Sequence, residues 1–217
     1  MESKLTRGGG VEVRRSSEPV GYDFAVAVME ERVAALVDGR GAELLWLLEH
    51  PALYTAGSSA RDEELLATDL PVYRSGRGGR YTYHGPGQRV GYVVMDLRRR
   101  GGDVRLFVRG LEDWVRGALL RLGVESFTRE GRIGLWVEGA GGIEEKVAAL
   151  GIRVRRGVAF HGVSVNVDPD LGHFGGIVPC GLRGYGVTSL ARLGAVCEMA
   201  DVDAALEASF FEIFGTN

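Results

Sequence analysis

The sequence predicts one α/β or α+β domain built around a mixed sheet, and three observations carry that reading. Asp103 to Leu122 forms an apolar stripe with helical spacing, from Leu106, Val108, Leu111, Trp114, Val115, Ala118 and Leu122. Ala42 to Leu48 is a short, almost uninterrupted apolar run, which suits a strand buried on both faces. Strand-like segments separated by glycine then follow one another without any repeat period.

The elements follow in order. Residues 1–20, with Gly8 to Gly10 and Ser16-Ser17, are expected to form a flexible N-terminal arm, and 21–217 a single domain. Tyr22, Val26, Met29, Val33 and Val37 recur at spacings of three and four, so Tyr22 to Val37 is a predicted helix ended by Gly39 and Gly41. Asp62 to Ala67 predicts a short helical turn. Tyr73-Arg74, Arg80 to Tyr83 and Val90 to Leu97 predict strands. Asp103 can cap the long helix and Gly123 suits its end. Further strands are expected over Val124 to Thr128, Ile133 to Val137, Ile152 to Arg155 and Val158 to Val167, and helices over Val187 to Leu193 and Asp201 to Phe214.

Composition narrows the function. The chain has 217 residues, enough for one sizeable core, with 45% hydrophobic and 25% charged residues. A net charge of −3 argues against generic nucleic-acid binding, which rests on a basic excess. Arg98 to Arg100 and Arg153, Arg155 and Arg156 form two local basic clusters suited to a solvated face or to an acidic partner. No apolar window spans a bilayer and Met1 to Val20 lacks a signal-peptide pattern, so a cytoplasmic protein without a membrane segment is expected. Of 26 basic residues only Lys4 and Lys146 are lysines. Arginine keeps its proton at physiological pH while a desolvated lysine can release it, which singles out Lys146 for proton chemistry.

Glycine is about twice as frequent as usual and clustered. The segment Arg77-Gly78-Gly79-Arg80-Tyr81-Thr82-Tyr83-His84-Gly85-Pro86-Gly87-Gln88 suits either a tight hairpin or a backbone that approaches a ligand closely. It ends in neither a phosphate-loop nor a dinucleotide pattern. Gly139 to Gly142 reads as a turn. Cys180, framed by Pro179 and Gly181, suits a fixed turn that can present a side chain, and its residues alone leave it open between a nucleophile and a small buried hydrophobe; Cys197 lacks such framing and reads as a small buried hydrophobe. A thiol needs a nearby cation to ionise at neutral pH, and Lys146, His84, His161 and His173 are candidates. Two cysteines without a histidine pair at ligand spacing fit no common zinc pattern, so no metal is expected. His50 and His173 read as structural or surface histidines.

Taken together, Glu49-His50-Pro51 with Tyr54-Thr55, Arg77 through Gln88, Lys146 to Gly151 leading to Phe160-His161-Gly162, and Asn166-Val167 followed by Val178-Pro179-Cys180-Gly181 resemble, in order, the octanoyl-acyl-carrier-protein:protein N-octanoyltransferase family. The resemblance spans about Glu49 to Leu193. It implies the α/β fold of biotin and lipoate protein ligase catalytic domains, a nucleophilic Cys180, a partner Lys146, and no cofactor. It implies substrate contacts from Arg77, Gly78, Gly79, Arg80, Tyr81, Thr82, Tyr83 and His84, from Ala149, Leu150 and Gly151, and from Gly162, Val163 and Ser164. The implied donor is octanoyl-acyl carrier protein. The implied acceptors are lipoyl domains of 2-oxoacid dehydrogenase E2 subunits and the glycine cleavage H protein, with the enzyme a monomer. Glu138 to Gly142 and Gly172 to Gly176 depart from the usual pattern, which bears on loop shape. The rival readings are an ATP-dependent lipoate or biotin ligase, an amidotransferase between lipoyl-carrying proteins, and a silent carrier-binding module.

Overall fold

The computed structural model describes residues 3–8, 10–66, 69–178, 185–195 and 197–215. Twelve strands and three helices of this region form a main sheet covered by helices on both faces and a small second sheet. The main sheet runs β1 (Ser3–Gly8), β2 (Val11–Ser16), β3 (Glu43–Leu48), β7 (Gln88–Asp96), β11 (Val158–Asn166), β10 (Glu144–Arg155), β9 (Arg132–Glu138), β8 (Phe127–Arg129). Neighbours along it are antiparallel except β2 with β3. Past the end of β11, β12 (Gly186–Val187) takes its place beside β10, in parallel, with Lys146 opposite Val187.

Burial on both faces explains the unbroken apolar run of β3. Leu44, Trp46 and Leu48 join one core and Leu45 and Leu47 the other, because successive side chains point to opposite faces. Helix α1 (Tyr22–Val37) covers the first face with Ala25, Met29, Val33 and Leu36. Helix α2 (Val104–Arg121) and α3 (Met199–Phe214) cover the second. Asp103 caps α2 by accepting from the amides of Arg105 at 2.8 Å and Leu106 at 3.0 Å. Trp114 fastens the two helices: its Nε1 donates to the Leu206 carbonyl at 2.7 Å and its ring meets Phe210 edge to face. Leu106, expected on the apolar face of α2, is exposed.

The second sheet, β5 (Val72–Arg74), β4 (Leu53–Ala56), β6 (Tyr81–His84), carries its own core of Tyr54, Ala56, Tyr81, Tyr83, Phe174 and Ile177. Its 75–80 loop reaches β10, where the Gly78 amide donates to the Ile152 carbonyl at 2.8 Å.

Three expectations change. Residues 11–16, read as part of a loose arm, form β2: Val11 and Val13 are buried in the main core, and Arg14 between them and Arg15 lies with its guanidinium 4.2 Å from the Trp46 ring. Val187 to Leu193, read as a helix, is the end of β12 followed by turns, because its amides are taken by neighbouring strands: Thr188 donates to Lys146 O, Leu190 to Asn166 O and Ala191 to Val167 O. Strand β10 begins at Glu144, well before the expected Ile152.

Replacing Phe210, fully buried at the joint of α2 and α3, with alanine is expected to lower stability by about 3–5 kcal/mol. A urea unfolding midpoint equal to that of the parent chain would contradict the packing described.

Candidate active site

A cavity of about 450 Å³ lies between β10 and β11 of the main sheet and the 75–84 segment. It gathers most of the residues singled out above: Arg77 to Thr82 and His84, Ala149 to Gly151 of β10, Gly162 to Ser164 of β11, and Lys146. Tyr83 is not in its wall. The Tyr83 ring instead packs against Tyr54, His173 and Phe174 in the small core, and burial pushes its hydroxyl up to about 12.

Lys146 is 7% exposed. Its Nζ donates to the Ile133 carbonyl at 3.0 Å and stands 4.7 Å from the centre of the Trp136 ring. The space for its side chain comes from Gly134, whose φ is 127°; a Cβ there would stand 3.2 Å from Lys146 Cε and 2.7 Å from the Ala148 carbonyl oxygen. The pairing of β9 with β10 shifts register between Lys146 and Ala148, so the lysine sits at a bulge, a common device for aiming a side chain.

Cys180 lies outside the described residues. The chain on its two sides is described. The Val178 amide donates to the Glu64 carbonyl at 2.8 Å. Tyr185 meets Trp136 at 5.5 Å between ring centres, and Gly186 pairs with Glu145. The strand after Cys180 therefore returns alongside Lys146. Cys197 packs against the main core, and burial, with Asp201 nearby, pushes its thiol above the ordinary value.

Arg77, 8% exposed, folds its own loop. Its guanidinium donates to the carbonyls of Gly78, Thr55 and Arg80 and to the Thr55 hydroxyl, all between 2.7 and 2.9 Å. Arg80 pairs with the buried carboxylate of Glu64.

Sequence reasoning picked out His84 and His161 but missed Tyr22 and Tyr92, which share the cavity wall with them, and the pairing of His50 behind it. His50, read as an ordinary structural or surface residue, is fully buried with Nδ1 2.6 Å from the Val20 carbonyl and Nε2 2.7 Å from the Tyr92 hydroxyl. A carbonyl only accepts, so Nδ1 carries the proton and Tyr92 donates to Nε2. His84 Nδ1 lies 2.7 Å from Gln88 Oε1, while Gln88 Nε2 donates to the Tyr83 carbonyl at 3.1 Å; the same logic puts the proton of His84 on Nδ1. Tyr22, Tyr92 and His161 join His84 in the cavity wall. His161 has φ 68°, a conformation rare for a residue other than glycine, and it breaks the strand alternation so that its ring stacks on that of its neighbour Phe160.

All three histidines are held neutral. Burial lowers His50 to about 4 and His84 and His161 to about 3; His50 and Arg77 add to the effect at His84, and Arg77 and Arg153 at His161. His173 instead lies near Asp170 at the surface of the small core. Among the described residues no group of three His, Cys, Asp or Glu is placed to hold a metal ion, and no helix is long and apolar enough to cross a membrane.

A mixed sheet flanked by helices, with a lysine and a glycine-rich loop facing one cavity, is the architecture of a lipoyl-attaching catalytic domain. The chain belongs to the lipoyl protein ligase A/B catalytic domain family, which matches residues 21–211. Among its relatives are the octanoyltransferase of Paramagnetospirillum magneticum, 57% identical over 208 residues and covering 95% of this chain and 98% of that protein, and the octanoyltransferase of Caulobacter vibrioides, 57% identical over 204 residues, covering 92% and 90%. In fold it is similar to a chain of the bi-partite lipoate protein ligase and E2 lipoyl domain system of Thermoplasma acidophilum, with a TM-score of 0.71, 16% identity and coverage of 98% and 86%. It is also similar to lipoate-protein ligase A bound with ATP, with a TM-score of 0.69, 18% identity and coverage of 95% and 85%. At such identities the likeness shows the fold alone.

The neutral histidines make stability depend on pH. In the unfolded chain histidine titrates near 6.5, so below that pH the unfolded state binds more protons than the folded one and stability falls as pH drops toward 4. Between pH 7 and 5 the loss for His50 alone is expected to be roughly 2 kcal/mol. Urea midpoints at the two pH values measure it, and a His50→Gln variant should lose less on acidification than the parent chain.

Proposed function

We propose that the chain transfers an octanoyl group from acyl carrier protein to the lysine of a lipoyl domain through a thioester on Cys180, with Lys146 as proton carrier. The observation that carries this reading is the 57% identity, over nearly the whole chain, with a protein named octanoyltransferase. Two features support it: Lys146 faces the cavity, and the strand that follows Cys180 returns beside it.

In the first half-reaction the Cys180 sulfur attacks the carbonyl carbon of the donor thioester and its proton passes to Lys146. The tetrahedral intermediate collapses with loss of the carrier thiolate, which takes a proton from the Lys146 ammonium. In the second, the acceptor lysine attacks the acyl-enzyme, neutral Lys146 removes a proton from the incoming amine, and the Cys180 thiolate leaves. An amide replaces a thioester, and no oxidant, metal or nucleotide enters the balance.

The substrate contacts fall to the segments that line the cavity: Arg77 to Thr82 with His84, Ala149 to Gly151 and Gly162 to Ser164. Arg77 shapes the loop from within, and its neighbours Gly78 and Gly79, which carry no side chain, let that loop lie close to the ligand. The acceptors in this reading are lipoyl domains of 2-oxoacid dehydrogenase E2 subunits and the glycine cleavage H protein, and the setting is the cytoplasm.

The test is the intact mass of the protein before and after incubation with octanoyl-acyl carrier protein. Wild type is expected to gain one octanoyl group, labile to hydroxylamine, while Cys180→Ser gains none and Lys146→Arg slows transfer at least about 100-fold. Product formed without any adduct on rapid quenching would sink the covalent route, and product formed from free octanoate with ATP would favour the ligase reading.

A further inference from the structure

A line of buried side-chain amides ties the histidine wall to the strand of Lys146. His84 Nδ1 donates to Gln88 Oε1 at 2.7 Å; Gln88 Nε2 donates to Asn166 Oδ1 at 2.9 Å; Asn166 Nδ2 donates to the Thr188 carbonyl at 2.9 Å; and the Thr188 amide donates to the Lys146 carbonyl at 3.0 Å. The direction of every bond is forced. Carbonyl acceptors at Tyr83 and Thr188 require the NH₂ ends of Gln88 and Asn166 to face them, which leaves each amide oxygen pointing toward the preceding donor.

Three further facts make Asn166 the hinge pin of this line. It is 4% exposed and stands opposite Gln88 in the pairing of β11 with β7. Its own carbonyl accepts from the Leu190 amide at 2.9 Å, so side chain and backbone of one residue hold Thr188 and Leu190 together. With Gln88, Thr82 and Ser164, it walls a water-sized cavity of about 20 Å³ that Lys146 also lines. A buried asparagine loses water on both polar ends and stabilises a fold only when both are paired, so an apolar residue would serve mere packing as well.

We propose that Asn166 is a positioning residue for Lys146: through Thr188 it fixes where the chain returning from the Cys180 segment docks on β10, and so how Lys146 is aimed at the reacting thiol. Thr188 lies eight residues after Cys180. Because Thr188 is held at its amide by Lys146 and at its carbonyl by Asn166, loss of the Asn166 amide frees one side of the strand pairing that carries the lysine. The inference rests on the assignment of Lys146 and Cys180 made above.

The test compares Asn166→Asp, which keeps the acceptor toward Gln88 but loses the donor toward Thr188, with wild type. In a Cys197→Ser background, the rate of iodoacetamide alkylation of Cys180 is followed against pH, alongside steady-state transfer. In a folded Asn166→Asp chain, kcat is expected to fall about 10- to 100-fold with the donor KM changed by less than about threefold, and the alkylation midpoint to rise. The penalty should vanish in a Lys146→Arg background, since a residue that acts through the lysine has nothing left to position. Wild-type alkylation and kcat in the folded variant, or a loss that simply adds to that of Lys146→Arg, would overturn the proposal. Should Asn166→Asp fail to fold, Gln88→Glu sets a carboxylate oxygen against Asn166 Oδ1, which favours turning the Asn166 amide donor away from the Thr188 carbonyl, and carries the same expectation. The alkylation arm uses no acyl donor, so its failure is separable from a failure of the octanoyl reading.

Discussion

Burial of the central strands on both faces is the constraint from which the rest of the molecule follows. A strand with helices on one side and a second sheet or helix on the other cannot hand its polar side chains to water, so each must be paired within the protein or face a ligand. On β7 and β11 the solution is pairing: Tyr92 with His50, Gln88 with Asn166 and the Tyr83 carbonyl, Asn166 with Thr188. Some buried polar atoms, such as Thr188 Oγ1 and Ser126 Oγ, have no hydrogen-bond partner among the described residues, and a further set of polar side chains faces the cavity. Thr82, Ser164 and His161 are buried and their side chains make no hydrogen bond to another described residue, yet all three line it. Unpaired polar groups grouped on one wall mark where a ligand brings polar atoms of its own, while the apolar surface of Val90, Leu150 and Val163 takes the rest.

His161 shows the same constraint acting on the backbone. In regular alternation its ring would point to the face opposite that of Phe160; the left-handed φ turns it to the same side, against Tyr92 at the cavity. Such a conformation costs on the order of 1–3 kcal/mol and persists only when packing on either side over-determines it. Here β10 pairs with β11 on both sides of the residue, and Gly162 follows it so closely against β7 that a Cβ would stand 2.1 Å from the Gly91 carbonyl oxygen. The sheet holds the strain in place, and the strain aims the ring.

What the sequence reveals depends on whether the determinant is local. Helix α2 is legible because its signals are: a side-chain cap at Asp103 and an apolar stripe at helical spacing. The first half of β10 is not, because Glu-Glu-Lys-Val-Ala-Ala carries little strand preference and becomes a strand only through partners on both sides, β9 on one and β11 and β12 on the other. Lys146 was conspicuous as one of two lysines, but its bulge, its contact with Trp136 and the gap left by Gly134 are tertiary facts. Likewise the glycine-rich segment from Arg77 to His84 suggests a ligand-facing loop or a tight hairpin, yet nothing local indicates that Arg77 is consumed by Gly78, Arg80 and the distant Thr55 or that Tyr83 faces away. His50, read as structural or surface, is structural, but a histidine beside proline gives no sign that Val20 and Tyr92, 30 and 42 residues away, will pair both its nitrogens.

The fold itself does not choose between chemistries, since a similar sheet holds lipoate-protein ligase A with ATP at 18% identity. An adenylating site must cradle and neutralise phosphates, and Arg77, one of the basic residues lining this cavity, spends its guanidinium on the Gly78 and Arg80 carbonyls of its own loop and on the carbonyl and hydroxyl of Thr55 in β4. Its neighbours His84 and His161 are held uncharged by burial and by Arg77 itself. The cavity is thus lined by neutral imidazole, phenol and hydroxyl around apolar surface, and its basic side chains are engaged within the protein: Arg77 by carbonyls, Arg80 by Glu64, Arg132 by Glu144 and Lys146 by the Ile133 carbonyl. With its cations already paired, the cavity suits an uncharged acyl chain better than a triphosphate, in keeping with the octanoyl transfer for which its relatives are named.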